Sequence, residues 1–300
     1  MTEEEYLELE GNIRTLWDAY YKAKGDTIAP VHNVITDDSA QITDMTMGAP
    51  GQMSDWTGSV SYDTLVKGFT KQVRPGKKST GIQVSRDMWD DREYRRIKTH
   101  INGVSYGVDK TLRAQSGLIL NGAFGTTLVG PDGAGLCSST HHIVPDDNHQ
   151  SNTGVLDLSY ESIEATQLIM EAWSDNRGDQ MGVEGNFIVA GPHWRKTCEK
   201  LFGSDKEAFT ADNTDNVYED FRYYIHPRIT GKKWFLANED AMKGGDGINF
   251  WMRRDPRILE RSGDAAKGDF NTEMLSWKAV GRWVMWWVNW HCIYGHNPAS

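Results

Sequence analysis

Between Asp90 and Phe124 the apolar side chains fall at Tyr94, Ile97, Ile101, Val104, Val108, Leu112 and Ile119, the three-and-four spacing of one helical face. The pattern predicts a single helix over 90–124. Asp90 and Glu93 supply a pair resembling a capping box, and with Asp91 they put negative charge where the helix dipole favours it. Asn121-Gly122 is a natural stop. Such a helix would span about 50 Å, longer than most globular domains need. Gly103, Gly107 and Gly117 each cost about 1 kcal/mol against Ala, which predicts a bend or close packing along it. An element of this length suits an extended plate that shares its length with neighbours, although an ordinary core helix has the same periodicity.

A chain of 300 residues holds one large domain or two moderate ones. The net charge of −10 and mean hydropathy of −0.58 describe a soluble chain, and no apolar run reaches the length of a membrane span. The first ten residues are acidic, unlike a signal peptide. Cys137, Cys198 and Cys292 are widely spaced, which fits a reducing compartment and no disulfide framework. Twelve tryptophans are many, and aromatics dominate interfaces, so extensive contact between subunits is expected. Residues 1–60 hold three Lys/Arg against eleven Asp/Glu, whereas residues 61–100 hold ten against five. Segments of opposite charge can meet each other, within a chain or between chains; two solvated faces would give the same counts.

In chain order, Thr2 and Glu5 cap a first amphipathic helix whose stripe is Tyr6, Leu9, Ile13, Leu16, Trp17 and Tyr20, ending at Gly25. Residues 28–54 show little periodicity and read as extended. Two strands, 59–73 and 78–86, flank the turn signal RPGKKSTG and form an expected hairpin. Its apolar content is too small to stand alone in water, so it must lie on something, a neighbouring subunit being one candidate. A helix follows at 159–173 with Ile163, Ile169 and Met170 inward, then a buried strand at 186–190 and a helix opened by Pro192. Further strands are read at 223–229, 234–237 and 248–253, the last broken by Asp255-Pro256. WKAVGRWVMWWVNWHCIYG, from Trp277, reads as one long strand buried on both faces.

Chemistry-bearing motifs are weak. Gly130, Gly133 and Gly135 lack the Lys-Ser or Lys-Thr of a phosphate loop. Cys137, His141, His142 and His149 lack the paired spacing of zinc sites and read as a polar, His-rich surface loop. Ser138, Ser139 and His141 have no nucleophile elbow around them. Arg92, Arg95 and Arg96 open the long helix, but an acidic chain lacks the basic footprint of a nucleic-acid binder, so a salt-bridging face is the reading. No catalytic residue, cofactor or metal is expected.

Several stretches, taken in order, carry a resemblance: DMWDDREYRRI leading into the long helix, DGAGLCSSTHH followed by SNTG, DLSYESIEATQLIMEA, NFIVAGPHWRKTCEKLFGS, DFNTEMLSWKAVGRW and the closing IYG. The chain resembles the major capsid proteins of tailed bacteriophages, most closely the Mu-type major head subunits. The resemblance implies an α+β fold of the Hong-Kong-97 type. It would comprise an N-terminal arm over 1–40, an extended loop over 41–84, a peripheral domain over 85–155 built on the spine helix, an axial domain over 156–261, and a return to the peripheral domain over 262–300.

The implied function is a non-enzymatic shell subunit that self-assembles into hexamers and pentamers around double-stranded DNA, in the host cytoplasm, with no membrane. Implied partners are a portal, a decoration protein and a separate scaffolding protein, since no scaffolding segment precedes the arm. Trp56, Leu65, Phe69 and Val73 are the expected apolar anchors on a neighbour. Trp17, Lys67, Lys71, Arg74, Arg92, Arg95 and Arg96 are further candidate subunit contacts. Crosslinking through Lys67, Lys71, Lys77 or Lys78 is not expected, because no acceptor is identifiable. An encapsulin-like nanocompartment shell and a metal-dependent hydrolase using Cys137–His149 are the alternatives.

Overall fold

The computed structural model describes residues 14–21, 26–49, 51–53, 55–56, 58, 60, 62, 64, 66–143, 149–203, 216–218, 221–260 and 274–299. Residues 14–21 are helical (α1). They lead to β1 (Asn33–Ile35), β2 (Ile42–Met47), β3 (Lys67–Val73) and β4 (Gly76–Ser85). Three helical segments follow: α2 (Arg86–Asp90), α3 (Tyr94–Ser116) and α4 (Leu118–Asn121). Short strands β5 (His141–His142), β6 (His149–Gln150) and β7 (Thr153–Gly154) precede α5 (Tyr160–Glu171), β8 (Phe187–Ala190) and α6 (Arg195–Phe202). The chain closes with β9 (Arg222–Ile225), β10 (Trp234–Ala237), α7 (Glu239–Lys243), β11 (Ile248–Glu260), β12 (Met274–Trp287) and β13 (Ile293–His296).

These elements form two main sheets. One runs β1-β11-β12-β4, parallel between β1 and β11 and antiparallel elsewhere. The other runs β7-β13-β10-β8-β9. The inward stripe of α3, Ile97, Ile101, Val108 and Leu112, packs on the first sheet with Ile82, Val84, Phe250, Trp277 and Trp283. The opposite face of that sheet presents Trp251, Val284, Trp286 and Val288 to a two-stranded ladder of β2 and β3, which contributes Ile42 and Val73. Alternate side chains of β12 therefore serve different cores, which is why its sequence is apolar at both parities. The second sheet is buried under α4, α5 and α6 through Leu120, Ile163, Met170, Ile188, Phe235 and Leu236.

Several expectations are corrected here. The long helix is Tyr94–Ser116, not 90–124. Asp91 closes α2 by donating its amide to Asp87 O, Arg92 then takes a positive φ of 57°, and Glu93 bonds Arg96 rather than capping. At the far end Gly117 lies against Arg228 and His226, where an added Cβ would meet both at 2.9 Å. Close packing thus explains Gly117, whereas Gly103 and Gly107 have open space.

The 59–86 hairpin does not form as expected. β3 pairs with β2, and β4 pairs along its whole length with β12. Residues 28–54, read as extended, hold the two strands β1 and β2. β11 runs through Asp255-Pro256, because a register shift between Arg254 and Arg257 absorbs the proline. The closing aromatic stretch is two strands, β12 in one sheet and β13 in the other, joined by a turn at Trp290–Cys292. β11 belongs by pairing to the α3 sheet and β13 to the five-stranded sheet. Ile169 is outward and exposed, while Ile163 and Met170 are inward. The Thr2–Glu5 cap and the Gly25 stop lie outside the described residues.

Candidate assembly interface

The end of β2 and the connection to β3 carry several exposed apolar side chains. Met47, Met53, Trp56, Val60 and Tyr62 are all exposed, Trp56 at 73% and Tyr62 at 93%. Its root is fixed. Gly48 N donates to Val66 O at 2.9 Å, Ala49 N donates to Asn176 Oδ1 at 2.8 Å, and Arg177 Nε donates to Ala49 O at 3.0 Å. Lys71 Nζ reaches Val129 O at 2.7 Å, and Trp286 Nε1 donates to Asp44 Oδ2 at 2.6 Å. The ladder is thus bonded to the body along its length, up to the start of the connection that carries the unburied aromatic side chains.

The expected contact residues divide into two groups. Trp17 is 2% exposed, stacks on Tyr21 with centroids 5.8 Å apart, and belongs to the α3 core. Val73 is likewise buried, against Trp251 and Trp286. Both side chains are buried in clusters of their own subunit. Phe69 is half-buried, its ring edge 6.4 Å from His142. Trp56, Lys67, Arg92, Arg95 and Arg96 are exposed, Arg96 paired with Glu93 at 3.0 Å. Arg74 donates twice to Gln41 Oε1, at 3.0 and 2.8 Å, across the base of the ladder. Leu65 lies outside the described residues.

A second exposed apolar patch was not anticipated. Val155, Leu156, Leu168 and Ile169 are exposed near one another, because Leu156 N donates to His296 Nδ1 at 3.1 Å and His296 Nε2 lies 2.9 Å from Thr166 Oγ1 on α5. Leu168 and Ile169 precede the buried Met170 on α5 but lie off its inward stripe, and that phase difference is the signal available in the sequence.

The His-rich loop keeps His142 and His149 exposed, while His141 and Cys137 are buried. His141 is fully buried, and its ring stacks on Trp290 at 4.6 Å. Its Nδ1 sits 2.6 Å from Asp132 Oδ2 and its Nε2 3.1 Å from Asn152 Oδ1. Asn152 in turn donates to the carbonyls of Leu136 and Ile293. The nitrogen that would activate a serine is therefore committed to an amide, and Ser138 Oγ faces Thr140 instead. Burial pushes the Cys137 thiol well above its usual range and Cys292 up to about 12, so neither is a ready thiolate. Among the described residues no group of three or more His, Cys, Asp or Glu is placed to hold a metal. No helix among the described residues is long and apolar enough to cross a membrane.

The architecture has known counterparts. A family model described as phage capsid protein matches residues 68–294. The chain belongs to the phage capsid protein family. Among solved structures it is similar to the procapsid of bacteriophage JBD30, with a TM-score of 0.54 and 13% identity over 100% of this chain and 77% of that one. It is similar also to the capsid of a native GTA particle, with a TM-score of 0.52 and 14% identity over 92% of each chain. A virus-like particle from Pyrococcus furiosus gives a TM-score of 0.53 and 8% identity over 96% of this chain and 98% of that one. No curated protein sequence matches. At these identities the structures establish a shared mixed helix-and-sheet fold, and the family establishes a major capsid protein that forms a shell.

Proposed function

We propose that this capsid protein is a non-enzymatic major head subunit of the Hong-Kong-97 type, most like the Mu-type head proteins, closing an icosahedral shell of hexamers and pentamers around double-stranded DNA. The observation that carries the reading is the exposed aromatic connection of the β2–β3 ladder, rooted on the body by Asn176, Arg177 and Lys71. A monomeric protein gains nothing from an exposed Trp56 and Tyr62, whereas a shell repeats every such contact many times. In this reading the ladder is the extended loop, the α3 sheet is the peripheral domain and the five-stranded sheet the axial domain. Trp56, Lys67, Phe69, Arg92 and Arg95 meet neighbours. A portal, a separate scaffolding protein and a decoration protein are the partners, and assembly takes place in the host cytoplasm.

The test is electron microscopy of the purified protein, alone and with the proteins encoded beside it. Closed shells of uniform diameter are expected. Small species that never enlarge, with or without a scaffold, would refute the reading. The likeness to a virus-like particle supports a second reading, an encapsulin-like shell around a protein cargo. Nucleic acid against protein in the purified shells separates the two.

A further inference from the structure

α3 is a basic element in an acidic chain. Its 23 residues hold five Lys/Arg and one carboxylate, Asp109, a net of +4 against −10 for the whole protein. Two of the cations are spent inside the subunit: Arg96 pairs with Glu93 at 3.0 Å and Arg113 with Asp109 at 2.8 Å. Arg95, Lys98 and Lys110 are exposed and form no ion pair among the described residues. At about 100° per residue, Arg95, Asn102 and Arg113 stand on one line of the helix, with Lys98 and Lys110 flanking it on either side. The line runs about 27 Å along the helix axis. Near its start Tyr20 of α1 closes a groove of about 380 Å³ with Arg95, Lys98, Thr99 and Asn102. Thr99 Oγ1 spends its hydrogen on Arg95 O at 2.9 Å, and the other four side chains supply phenol, guanidinium, ammonium and amide donors. No carboxylate is among the described residues that line the groove, so its complement is an anion.

We infer that this face of α3 holds the phosphodiester backbone of double-stranded DNA, the groove at Tyr20 and Asn102 seating one phosphate and Lys98 and Lys110 reaching others along the track. The inference rests on the shell reading above, which requires DNA to be enclosed but not touched. Double-stranded DNA carries one charge per about 1.7 Å of its axis, so a row of cations meets phosphates in any register and reads no sequence. A small anion would fill the groove and leave Lys110, about 18 Å beyond Lys98 along the axis, without a part. A protein partner calls for an apolar centre to its contact, and no Leu, Ile, Val or Met lines the groove. The net charge of −10 repels DNA over most of the remaining surface, so α3 provides a few contacts per subunit, weak singly and repeated across a shell.

The test is fluorescence anisotropy of a short labelled double-stranded DNA fragment titrated with the purified, unassembled protein at low salt. Saturable binding without sequence preference is expected. Lys98→Gln/Lys110→Gln should bind about ten-fold more weakly, with a salt slope shallower by about 2, because each phosphate contact contributes about 0.9. Both positions are exposed, and circular dichroism checks the fold. Arg95 is left in place because the shell reading gives it a neighbour. Lys98→Arg/Lys110→Arg should bind as the wild type does. So should Lys77→Gln/Arg254→Gln, which alters two exposed cations on the opposite face of the α3 sheet. The titration needs no shells, so it stands or falls separately from the shell reading, which electron microscopy tests. Absence of DNA binding by the wild type overturns the proposal. So does equal affinity of the Gln variant of α3, a loss confined to the variant of the opposite face, or displacement of the DNA by stoichiometric inorganic phosphate. An α3 variant that keeps its DNA affinity and fails to close shells would make this face a subunit contact instead.

Discussion

Two tryptophans show how the same side chain takes opposite roles. Trp17 fills the α3 core and stacks on Tyr21. Trp56 projects from the β2–β3 connection with most of its surface open. Replacing Trp17 with Ala removes a buried aromatic and leaves a cavity, which should lower subunit stability by about 3–5 kcal/mol in a denaturant titration. Trp56→Ala should leave that titration unchanged to within about 0.5 kcal/mol and instead impair closure of shells, with an interface loss of about 2 kcal/mol per contact. If Trp56→Ala destabilised the isolated subunit and Trp17→Ala spared it, the division between core and interface would be reversed. Helical periodicity puts Trp17 on the apolar stripe of the first helix, but it does not say whether that stripe meets the chain's own core or a neighbour. Both are aromatic positions in the acidic first sixty residues, and only the packing of α1 on the first sheet separates them.

Among elements, the joints are made by neutral histidines. His226 holds the end of α3 against β9: its Nδ1 accepts the Arg228 amide at 3.2 Å, and its Nε2 lies 2.9 Å from Ser116 Oγ. His296 joins β13 to α5 in the same way, through Leu156 N and Thr166 Oγ1. A ring nitrogen that accepts an amide hydrogen cannot take a proton without breaking the joint. Burial pulls His226, His296 and His32 down to about 4, with Arg113 and Arg228 adding to the effect at His226. The unfolded chain binds these protons as pH falls through about 6.5, and the folded chain only near 4. Stability is therefore complete above pH 6.5 and is lost as pH falls towards 4, by on the order of 3 kcal/mol for fully buried His32. Unfolding of the unassembled subunit measured from pH 7 to 4.5 should show this decline, and a flat profile would contradict it. Element types were largely legible: α5 starts at Ser159, β8 and β10 are short apolar runs, and the predicted stripe holds on α3 at Ile97, Ile101, Val108 and Leu112, while its Tyr94 is exposed and its Ile119 belongs to α4. Partners were not. β4 alternates as expected at Ile82 and Val84, yet it pairs with a strand almost two hundred residues away, and no local signal carries that.

For the whole molecule, composition and motif order pointed to a shell, and the family match agrees. The candidate contacts were less legible, because exposure depends on which face of a sheet is covered. Lys77 falls in the turn of the expected hairpin but belongs to β4 in the structure, where it stands opposite Arg282 of β12, with Arg254 of β11 on the other side. Shells held partly by such charges should loosen in salt while the apolar contacts persist. Raising salt from 0.1 to 1 M should slow closure of wild-type shells by an order of magnitude without unfolding the subunit, as read by light scattering beside circular dichroism. Closure indifferent to salt would leave the apolar connection as the whole of the interface.

The path from β12 through Trp290–Cys292 into β13 has a mechanical meaning. β12 is an inner strand of one sheet and β13 an inner strand of the other, and Val288 and Asn289 between them are clasped to Gly247 and Asp246, just ahead of β11. A pull that separates the two sheets is carried along this backbone, which ladders anchor at each end, as well as along the β10–α7–β11 connection beside it. In a container pressed outward by its contents, that length acts as a tie-rod through every subunit.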